Sequence, residues 1–306
     1  MIKINNLQKR YGTKLAVRGI SFSVSRGEIV GFLGPNGAGK STTMNVLCGY
    51  LSATEGSASV AGFDVLDDAL EARRHIGYLP EQPPLYFDMT VDEYLGFVYE
   101  LKKVTLPREE HLFGICEKVG ISHVRARLIK NLSKGYRQRV GIAQALIGDP
   151  DVLILDEPTV GLDPNQIIEI RSLIKNLGED RTVILSTHIL AEVAAVCKRI
   201  IVINDGEIVA DDTTENLLAS AEKEKKYIAE IDGKEDEITP VLQKVAGVAS
   251  VTFDGKKYTL TSEKDTDIRR AVFYAAAEHD LPLLSFAPAP SSLEDVFTNL
   301  TRKEEK

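Results

Sequence analysis

The sequence has no tryptophan and only three cysteines among its 306 residues. Cys48, Cys116 and Cys197 are far apart and form no CxxC pair, which argues against a disulfide framework and against a cysteine metal site. The sequence also lacks an uncharged apolar run of about 18 residues, the length that a membrane-spanning helix needs. Its N-terminus has no apolar segment followed by a cleavage site of small residues. We expect a chain that is neither exported nor membrane-spanning.

The chain also has fewer positively charged than negatively charged residues. Lys and Arg number 37 against 45 Asp and Glu, which gives a formal net charge of −8. Because nucleic-acid binding depends on clustered Lys and Arg, we expect no nucleic-acid partner. The apolar and charged fractions, 43% and 27%, are typical of a soluble globular protein, and the length allows one large domain and a smaller one.

The sequence does contain a regular series of short apolar runs. The early runs precede a helix that should begin at Lys40, and the later runs alternate with amphipathic stretches. This pattern predicts parallel strands covered by helices on both faces, which is an α/β fold. The pair Asp205-Gly206 predicts a hairpin turn after the last of these strands. The runs cover residues 2–7, 15–24, 28–33, 152–155, 183–185 and 200–203.

Over residues 80–150 the pattern becomes mostly helical, and we predict a helical subdomain inserted into the α/β core. One stretch shows the i, i+3, i+4, i+7 spacing of a single buried helix face. Its apolar residues are Val91, Tyr94, Leu95, Val98 and Leu101.

A charge run over residues 222–226 marks the predicted domain boundary, with one domain over 1–221 and an accessory domain over 222–306. The accessory domain is predicted to be a small α+β unit with the ferredoxin-like order β-α-β-β-α-β. Its predicted strands cover 227–231, 248–253, 257–261 and 283–286, and its predicted helices cover 235–245, 266–278 and 293–300.

Residues 34–42 match the pattern GxxxxGK[ST] between a predicted strand and a predicted helix. Glycines in this pattern let consecutive backbone N–H groups converge on an anion, and the helix N-terminus adds positive potential. Lys40 supplies a full charge to the β- and γ-phosphates, and Ser41 offers its hydroxyl to Mg²⁺. The sequence therefore predicts an ATP-binding P-loop. Its residues are Gly34, Pro35, Asn36, Gly37, Ala38, Gly39, Lys40, Ser41 and Thr42.

Two acids, Asp156 and Glu157, follow the apolar run 152–155. Open α/β sheets hold their ligands at the carboxyl ends of strands. Asp156 is suited to bind Mg²⁺ through water, and Glu157 is suited to polarise the attacking water as general base. Taken alone, adjacent acids after a strand are a common helix cap or turn. Together with a P-loop they predict ATP hydrolysis.

His188 follows the next apolar run, in the segment Leu185-Ser186-Thr187-His188. It should therefore emerge on the same sheet edge as Asp156. We predict that His188 makes a polar contact to the γ-phosphate and takes part in catalysis. The other histidines lack such a setting and receive no role: His75, His111, His123 and His279.

Residues 132–139 read Leu-Ser-Lys-Gly-Tyr-Arg-Gln-Arg, and residues 161–164 read Gly-Leu-Asp-Pro. The first segment resembles the signature motif, and the second the D-loop, of the nucleotide-binding subunits of ABC transporters. The P-loop, signature, acid pair, D-loop and histidine occur in the order of that family over about residues 1–215. The chain resembles the exporter-type branch, in which the ABC ATPase has a C-terminal accessory tail and the permease is a separate chain.

The resemblance implies further contacts with ATP. Tyr11, in Arg10-Tyr11-Gly12, resembles the aromatic residue that stacks on adenine. A signature motif cannot reach the P-loop of its own chain. Ser133, Lys134 and Gly135, with Asp163 of the D-loop, would therefore meet the ATP bound by the other subunit of a head-to-tail dimer. A homodimer and a heterodimer both fit this arrangement.

Two positions depart from the pattern of the family. Lys134 stands where glycine is commoner, but lysine also occurs there in one exporter-type branch, so the motif is expected to be functional. Glu81 stands at the usual place of the Q-loop glutamine, with Gln82 beside it. A carboxylate can still bind Mg²⁺ or its water, and either residue could serve.

The segment over residues 83–89 is unusually apolar for a region rich in turns. It is either core or, with Leu85 and Phe87, part of a groove that receives a short helix of a membrane subunit. Residues 291–297 resemble the accessory tail of exporter ATPases, and nothing in that tail looks catalytic.

We therefore predict an ATPase subunit, peripheral on the cytoplasmic face of the cell membrane, that powers a separate integral membrane permease of an exporter. The alternative is a soluble ABC ATPase acting on ribosomes or DNA. Such proteins usually have two fused cassettes or a long coiled-coil insertion, whereas this sequence has one P-loop and no sustained heptads. A small-molecule kinase would leave the signature and D-loop segments unexplained.

Overall fold

The structure is a computed structural model, which describes residues 1–221, 226–263, 266–289 and 297. The chain folds as two compact units, Met1–Thr214 and Glu215–Lys306. The division lies slightly before the boundary between residues 221 and 222 that the charge run indicates. Within the described residues, no helix is both long enough and apolar enough to cross a membrane.

The first unit contains ten strands and seven complete helices in its described residues. The strands are β1 (Ile2–Tyr11), β2 (Lys14–Val24), β3 (Ile29–Leu33), β4 (Glu55–Val60), β5 (Phe63–Asp64), β6 (Ile76–Leu79), β7 (Val152–Asp156), β8 (Thr182–Thr187), β9 (Arg199–Asn204) and β10 (Glu207–Thr213). The helices are α1 (Lys40–Leu47), α2 (Ala69–Arg74), α3 (Val91–Leu101), α4 (Arg108–Val119), α5 (Lys134–Leu146), α6 (Pro164–Asp180) and α7 (Leu190–Val196), and α8 (Thr214–Ala221) begins at the boundary.

Two sheets form in this unit. One is antiparallel, with the order β2-β1-β4-β5, and the other has the order β10-β9-β3-β8-β7-β6. In the second sheet every neighbouring pair is parallel except β9 and β10. All residues of β7 and β8 are buried, as expected for central strands covered on both faces. The predicted α/β fold is confirmed, although the sequence analysis did not identify β4, β5 and β6.

The parallel register brings several strand ends to one edge of the second sheet. Leu33 at the end of β3 pairs with Thr187 at the end of β8, and Asp156 at the end of β7 pairs with Ser186. Leu79 of β6 pairs with Leu155. The segments that follow these four strands therefore leave the sheet side by side, as in open α/β folds that bind ligands at this edge.

The predicted hairpin joins β9 to β10. Asp205 and Gly206 have φ values of 46° and 84°, the left-handed conformation that a two-residue type I′ turn needs at both positions. The N–H of Gly206 donates to the carbonyl of Ala38 at 2.9 Å, so this turn also supports the P-loop.

Helices α3, α4 and α5 form the helical subdomain between β6 and β7. Helix α3 begins with a capping box, in which Thr90 and Glu93 satisfy each other's backbone N–H groups. Its predicted buried face holds except at Leu101, which is 68% exposed. At about 100° per residue, Leu101 has rotated away from the centre of the apolar stripe, so the prediction was wrong at that position.

In the second unit, the described strands and helices alternate as β-α-β-β-α-β. They are β11 (Lys226–Ile231), α9 (Glu235–Gln243), β12 (Val248–Phe253), β13 (Tyr258–Ser262), α10 (Arg269–Glu278) and β14 (Leu283–Pro288). The sheet is antiparallel, with the order β12-β13-β11-β14, over an apolar core that includes Tyr258 and Leu260. The predicted helix over 293–300 and the tail segment over 291–297 lie outside the described residues, apart from Phe297.

Candidate nucleotide-binding and catalytic site

The P-loop connects β3 to α1 at the carboxyl edge of the sheet. Gly39, the N-cap of α1, has φ 110°, and a side-chain carbon there would lie 2.7 Å from the carbonyl oxygen of Ala16. A side-chain carbon on Gly34 would lie 2.3 Å from the carbonyl oxygen of Ile203. Both positions therefore require glycine because neighbouring backbone approaches too closely for any side chain.

The loop is exposed at its tip, at Asn36 and Gly37, and buried at its base. Lys40 is only 6% exposed and points back along the loop. Its Nζ donates to the carbonyl oxygens of Gly34 and Pro35 at 2.8 and 3.3 Å. The same Nζ lies 3.6 Å from Oε1 of Glu157. The ammonium group thus sits between the P-loop and the acid pair.

Asp156 is buried at the end of β7. Its Oδ1 accepts a hydrogen bond from the Ser186 hydroxyl at 2.7 Å, and the Ser41 hydroxyl lies near enough to its carboxylate to favour the charged form. Burial raises the pKa of Asp156 above its usual value, and the negative charge of Glu157 acts in the same direction. The two serine hydroxyls and the charge of Lys40 oppose that shift because they favour the ionised form.

Glu157 adopts a positive φ of 50°, which is costly for a residue with a side chain. Its N–H donates to the carbonyl of Ser186 at 2.8 Å, which holds the backbone in this conformation. The side chain is buried, and its Oε2 lies 3.1 Å from the Thr187 hydroxyl. Such strain, held in place by neighbouring strands, is typical of functional sites.

His188 completes this cluster after β8. Its Nδ1 lies 2.9 and 3.0 Å from the two carboxylate oxygens of Glu157, and its side chain is 40% exposed. A hydrogen bond to a carboxylate requires that Nδ1 carries the proton, which leaves Nε2 for a second partner. The sequence thus located the three central side chains, Lys40, Glu157 and His188, and the structure brings them together.

Ser186 and Thr187 are the contacts that the sequence analysis missed. Each one positions a member of the acid pair, Asp156 and Glu157 respectively. The available signal was their place directly before His188 at the end of a buried strand, where a polar residue needs a polar partner.

The signature segment forms the start of α5. Ser133 is the N-cap, and its side chain accepts from the N–H of Tyr136 at 3.4 Å. Gly135 faces Gln166 of α6, since a side-chain carbon on Gly135 would lie 2.8 Å from the Gln166 carboxamide. A side-chain carbon on Gly161 would likewise meet the ammonium of Lys134.

The D-loop therefore lies against the signature segment within one chain. Asp163 is the N-cap of α6, where its Oδ1 accepts from the N–H of Gln166 at 3.0 Å. The structure brings all four residues predicted to contact a second ATP into one surface region.

Tyr11 ends β1, and the Q-loop positions follow β6. The Tyr11 ring is 46% exposed at the end of β1, and the Lys9 ammonium lies 5.5 Å from its centre. Glu81 and Gln82 are exposed directly after β6, at the same sheet edge as Asp156. In the part of the chain that the structure describes, no hydrogen bond joins either of these two side chains to Asp156.

Comparison with known proteins places this geometry in a family. The family model described as ABC transporter matches residues 17–160. The linearmycin resistance ATP-binding protein LnrL of Bacillus subtilis (strain 168) is 32% identical over 305 residues, which cover 98% of each chain. This chain belongs to the ABC transporter ATP-binding proteins. It is an ATP-hydrolysing subunit of the exporter type, and its activity powers transport by a separate permease.

Other relatives of this ABC transporter ATP-binding protein carry names of transport proteins. The Nod factor export ATP-binding protein I of Ralstonia nicotianae (strain ATCC BAA-1114 / GMI1000) is 31% identical and covers 99% of this chain and 94% of its own. The bacitracin transport ATP-binding protein BcrA of Bacillus licheniformis is 35% identical over 74% of each chain. These relatives do not favour the alternative of an ATPase acting on ribosomes or DNA.

Solved structures agree with the fold of the first unit. An ATP-binding cassette, solved as a dimer in a post-hydrolysis state with ADP and Pi, is 28% identical and has a TM-score of 0.63. The match covers 70% of this chain and 98% of that one. ABC transporter ATP-binding proteins form dimeric cassettes and work with membrane permeases.

Proposed function

We propose that this subunit binds Mg-ATP between the P-loop and the acid pair and hydrolyses it with Glu157 as the general base. The observation that carries this proposal is that Lys40 and His188 both contact the side chain of Glu157. Nζ of Lys40 lies 3.6 Å and Nδ1 of His188 lies 2.9 Å from Oε1 of Glu157, whose backbone is strained. We assign the ATPase activity to the first unit, and assign the second unit an accessory role.

The role of each residue in this site follows from its charge and from the atoms that its side chain can contact. The N–H groups of the P-loop and the ammonium of Lys40 bind the β- and γ-phosphates, and Tyr11 stacks on the adenine. Glu157 accepts a proton from the attacking water, while the Nε2–H of His188, protonated on both ring nitrogens, donates a hydrogen bond to the γ-phosphate. Catalysis needs little beyond this positioning and charge stabilisation.

The residues present fit a magnesium ion. Mg²⁺ prefers oxygen ligands, and the Ser41 hydroxyl lies near the Asp156 carboxylate at the edge where the phosphates would lie. When bound, Mg²⁺ neutralises negative charge on the phosphate oxygens. Ser41 and Asp156 would hold it, with Glu81 or Gln82 of the Q-loop as the further ligand.

We further propose that two such subunits close head to tail around two ATP molecules. Ser133, Lys134, Gly135 and Asp163 would contact the ATP held by the P-loop of the partner. Their common surface supports this role, since α5 and α6 both present their N-termini there, and helix N-termini attract phosphate. The partner is either a second copy of this chain or a related ATPase subunit.

The permease is proposed to bind the helical subdomain at the cytoplasmic face of the membrane. Tyr86 and Phe87 are 52% and 48% exposed, and Phe97 of α3 packs edge-on against Tyr86 with ring centres 5.5 Å apart. Leu85 is instead buried, so it belongs to the core. We propose that the three exposed aromatic rings receive a short apolar helix from the permease, which would export its cargo.

This aromatic patch is joined to the signature segment. The guanidinium of Arg137, in α5, lies 5.4 Å from the centre of the Phe87 ring, and the N–H of Lys130 donates to the Phe87 carbonyl at 3.0 Å. A displacement at the patch would therefore reach the start of α5. Through this contact, closure of the two ATPase subunits around ATP would move the aromatic patch that binds the permease.

The central experiment is a comparison of Glu157→Gln with the unaltered protein. Glutamine keeps the shape of the side chain but cannot take the proton, so ATP turnover is expected to fall by roughly 10²–10⁴-fold. ATP affinity, measured by titration with a fluorescent ATP analogue, should be retained. Glu71→Gln, at a partly exposed acid of α2 paired with Arg74, is the matched control and should leave turnover unchanged. Normal turnover in Glu157→Gln would remove Glu157 from the role of base.

The same variant tests the partner. Glu157→Gln, purified with Mg-ATP from detergent-solubilised membranes, should bring a polytopic membrane protein with it. Adding Tyr86→Glu and Phe87→Glu should release that protein while ATP binding persists. Recovery of ribosomes or nucleic acid without a membrane protein would contradict the permease assignment.

A further inference from the structure

Glu192 is a buried acid that has no part in the scheme above. It lies in the first turn of α7, and only 1% of its surface is exposed. Within the described part of the chain, its Oε1 is buried without a hydrogen-bond partner. An acid in the first turn of a helix is ordinarily explained by the helix dipole. That explanation suits an exposed side chain, whereas burying a carboxylate carries a large desolvation penalty that demands a further reason.

The other carboxylate oxygen of Glu192 is linked to Glu157, the proposed general base, through the hydroxyl of Thr187. The Thr187 hydroxyl oxygen lies 3.0 Å from Oε2 of Glu192 and 3.1 Å from Oε2 of Glu157. The N–H of Ile189 donates to that same hydroxyl oxygen at 3.1 Å. Thr187 itself has no exposed surface, so the link between the two acids is sealed from solvent.

A hydroxyl has one proton to donate. Thr187 can therefore give a hydrogen bond to Glu157 or to Glu192, but not to both carboxylates at once. A hydrogen bond to Glu157 occupies a lone pair of the base and stabilises its charged form, which makes it less ready to take a proton. A hydrogen bond to Glu192 leaves that lone pair of Oε2 open, while Nδ1 of His188 remains 3.0 Å from the same oxygen.

We propose that Glu192 is a positioning residue for hydrolysis, which draws the Thr187 hydroxyl towards itself and so keeps one lone pair on Oε2 of Glu157 free for the attacking water. In that step the water oxygen bonds to the γ-phosphorus, the bond to the β–γ bridging oxygen breaks, and the water proton passes to Glu157. Glu192 neither gains nor loses a proton. This inference rests on the proposed role of Glu157 as the base.

The test is a double-mutant cycle in the full-length chain. Glu192→Met removes the competing acceptor at similar volume, so Thr187 donates to Glu157 alone. We expect kcat to fall by about tenfold, the effect of one hydrogen bond to a charged group, with the KM for ATP unchanged. Adding Thr187→Val removes the donor, so the double variant should turn over faster than Glu192→Met.

A purely structural role for Glu192 predicts a different result. The double variant would then be as slow as Glu192→Met or slower, and this outcome would overturn the proposal. Thermal unfolding midpoints, measured for every variant, separate loss of folding from loss of turnover. If Glu192→Met does not fold, Glu192→Ala takes its place in the same cycle.

The Glu157→Gln variant distinguishes this inference from the proposed function. If Glu157→Gln keeps normal turnover, the assignment of the base fails, and the positioning role fails with it. If Glu157→Gln is slow but Thr187→Val gives no recovery in the Glu192→Met background, only the positioning role fails. In a Glu157→Gln background, Glu192→Met should change the residual turnover by less than twofold.

Discussion

The two units of this chain are built from similar secondary-structure elements but differ in the charge that they bury. Both cover a sheet with helices, but the first unit buries several charged side chains, among them Lys40, Asp156, Glu157 and Glu192. In the described part of the second unit, the buried core is apolar apart from Ser262, with Tyr258 and Leu260 at its centre. Because burying charge is costly unless it is paired, the concentration of buried charge in the first unit supports the proposed ATPase site there.

Strand direction explains this difference. In the parallel sheet of the first unit, β3, β6, β7 and β8 all end at one edge, where four loops can pool their polar side chains. In the antiparallel sheet of the second unit, neighbouring strands end at opposite edges. Among the described strands of that sheet, no edge collects the ends of adjacent strands.

The largest effect on ATP affinity is expected at the centre of the first unit, from Lys40→Met. This change removes the charge proposed to bind the phosphates, which lies 3.6 Å from Oε1 of Glu157. The loss of a hydrogen bond to a charged group costs roughly 1.5–3 kcal/mol, so ATP affinity should fall by about 10- to 100-fold. Titration with a fluorescent ATP analogue measures this, with Lys175→Met on the exposed side of α6 as control.

A mixing experiment sharpens the same prediction. Lys40→Met lacks a working P-loop, and Ser133→Arg should lack a working signature segment, so each protein alone should hydrolyse ATP very slowly. If the signature segment acts on the partner's ATP, mixing the two proteins restores one intact site and part of the turnover. Mixtures that stay as slow as the single variants would contradict the head-to-tail arrangement.

An intermediate effect, on stability alone, is expected in the second unit from Leu260→Ala. Leu260 has no exposed surface, and removing a buried leucine side chain costs about 2–5 kcal/mol. Circular dichroism during thermal unfolding should show a lower midpoint, while ATP affinity stays normal. Leu284→Ala, at a position that is 68% exposed in β14, is the matched control with a shift near zero. A loss of ATP affinity in Leu260→Ala would contradict the assignment of ATP binding to the first unit alone.

The smallest effect is a pH dependence at His111. Burial lowers the pKa of His111 below its usual value of 6.5, and Lys102 and Lys118 add to that shift while Asp149 opposes it. The neutral ring is the form that fits, because its Nε2 accepts from the N–H of Gly148 at 3.0 Å. The stability it contributes is therefore complete above about pH 6.5 and is lost as the pH falls through the lowered pKa.

His111→Gln tests this sign, since a carboxamide oxygen can accept the same hydrogen bond without titrating. The free energy of unfolding, from urea titrations at several pH values, should decline less below pH 6.5 in the variant than in the unaltered protein. Parallel curves for both proteins would show that His111 has no part in the pH dependence.

Much of the site was predicted because its motifs are local. The P-loop over 34–42, the acid pair and the signature segment each lie within one short stretch, whose spacing reflects a turn or helix start. The α/β architecture followed from the apolar runs. The hidden strands β4, β5 and β6 are short or polar and gave no such pattern, and Leu101 lay at the edge of an amphipathic face.

By itself, the sequence determined which chemical groups this protein has and which turn or helix start presents each one. The tertiary structure alone decided the partners of Glu157. Thr187 and His188 lie about 30 residues away along the chain and become neighbours of Glu157 only through the parallel register of β7 and β8. Glu192 enters the same network through α7. Periodicity and motifs report local geometry, whereas contacts between distant residues depend on how strands pair, which no short stretch of sequence encodes.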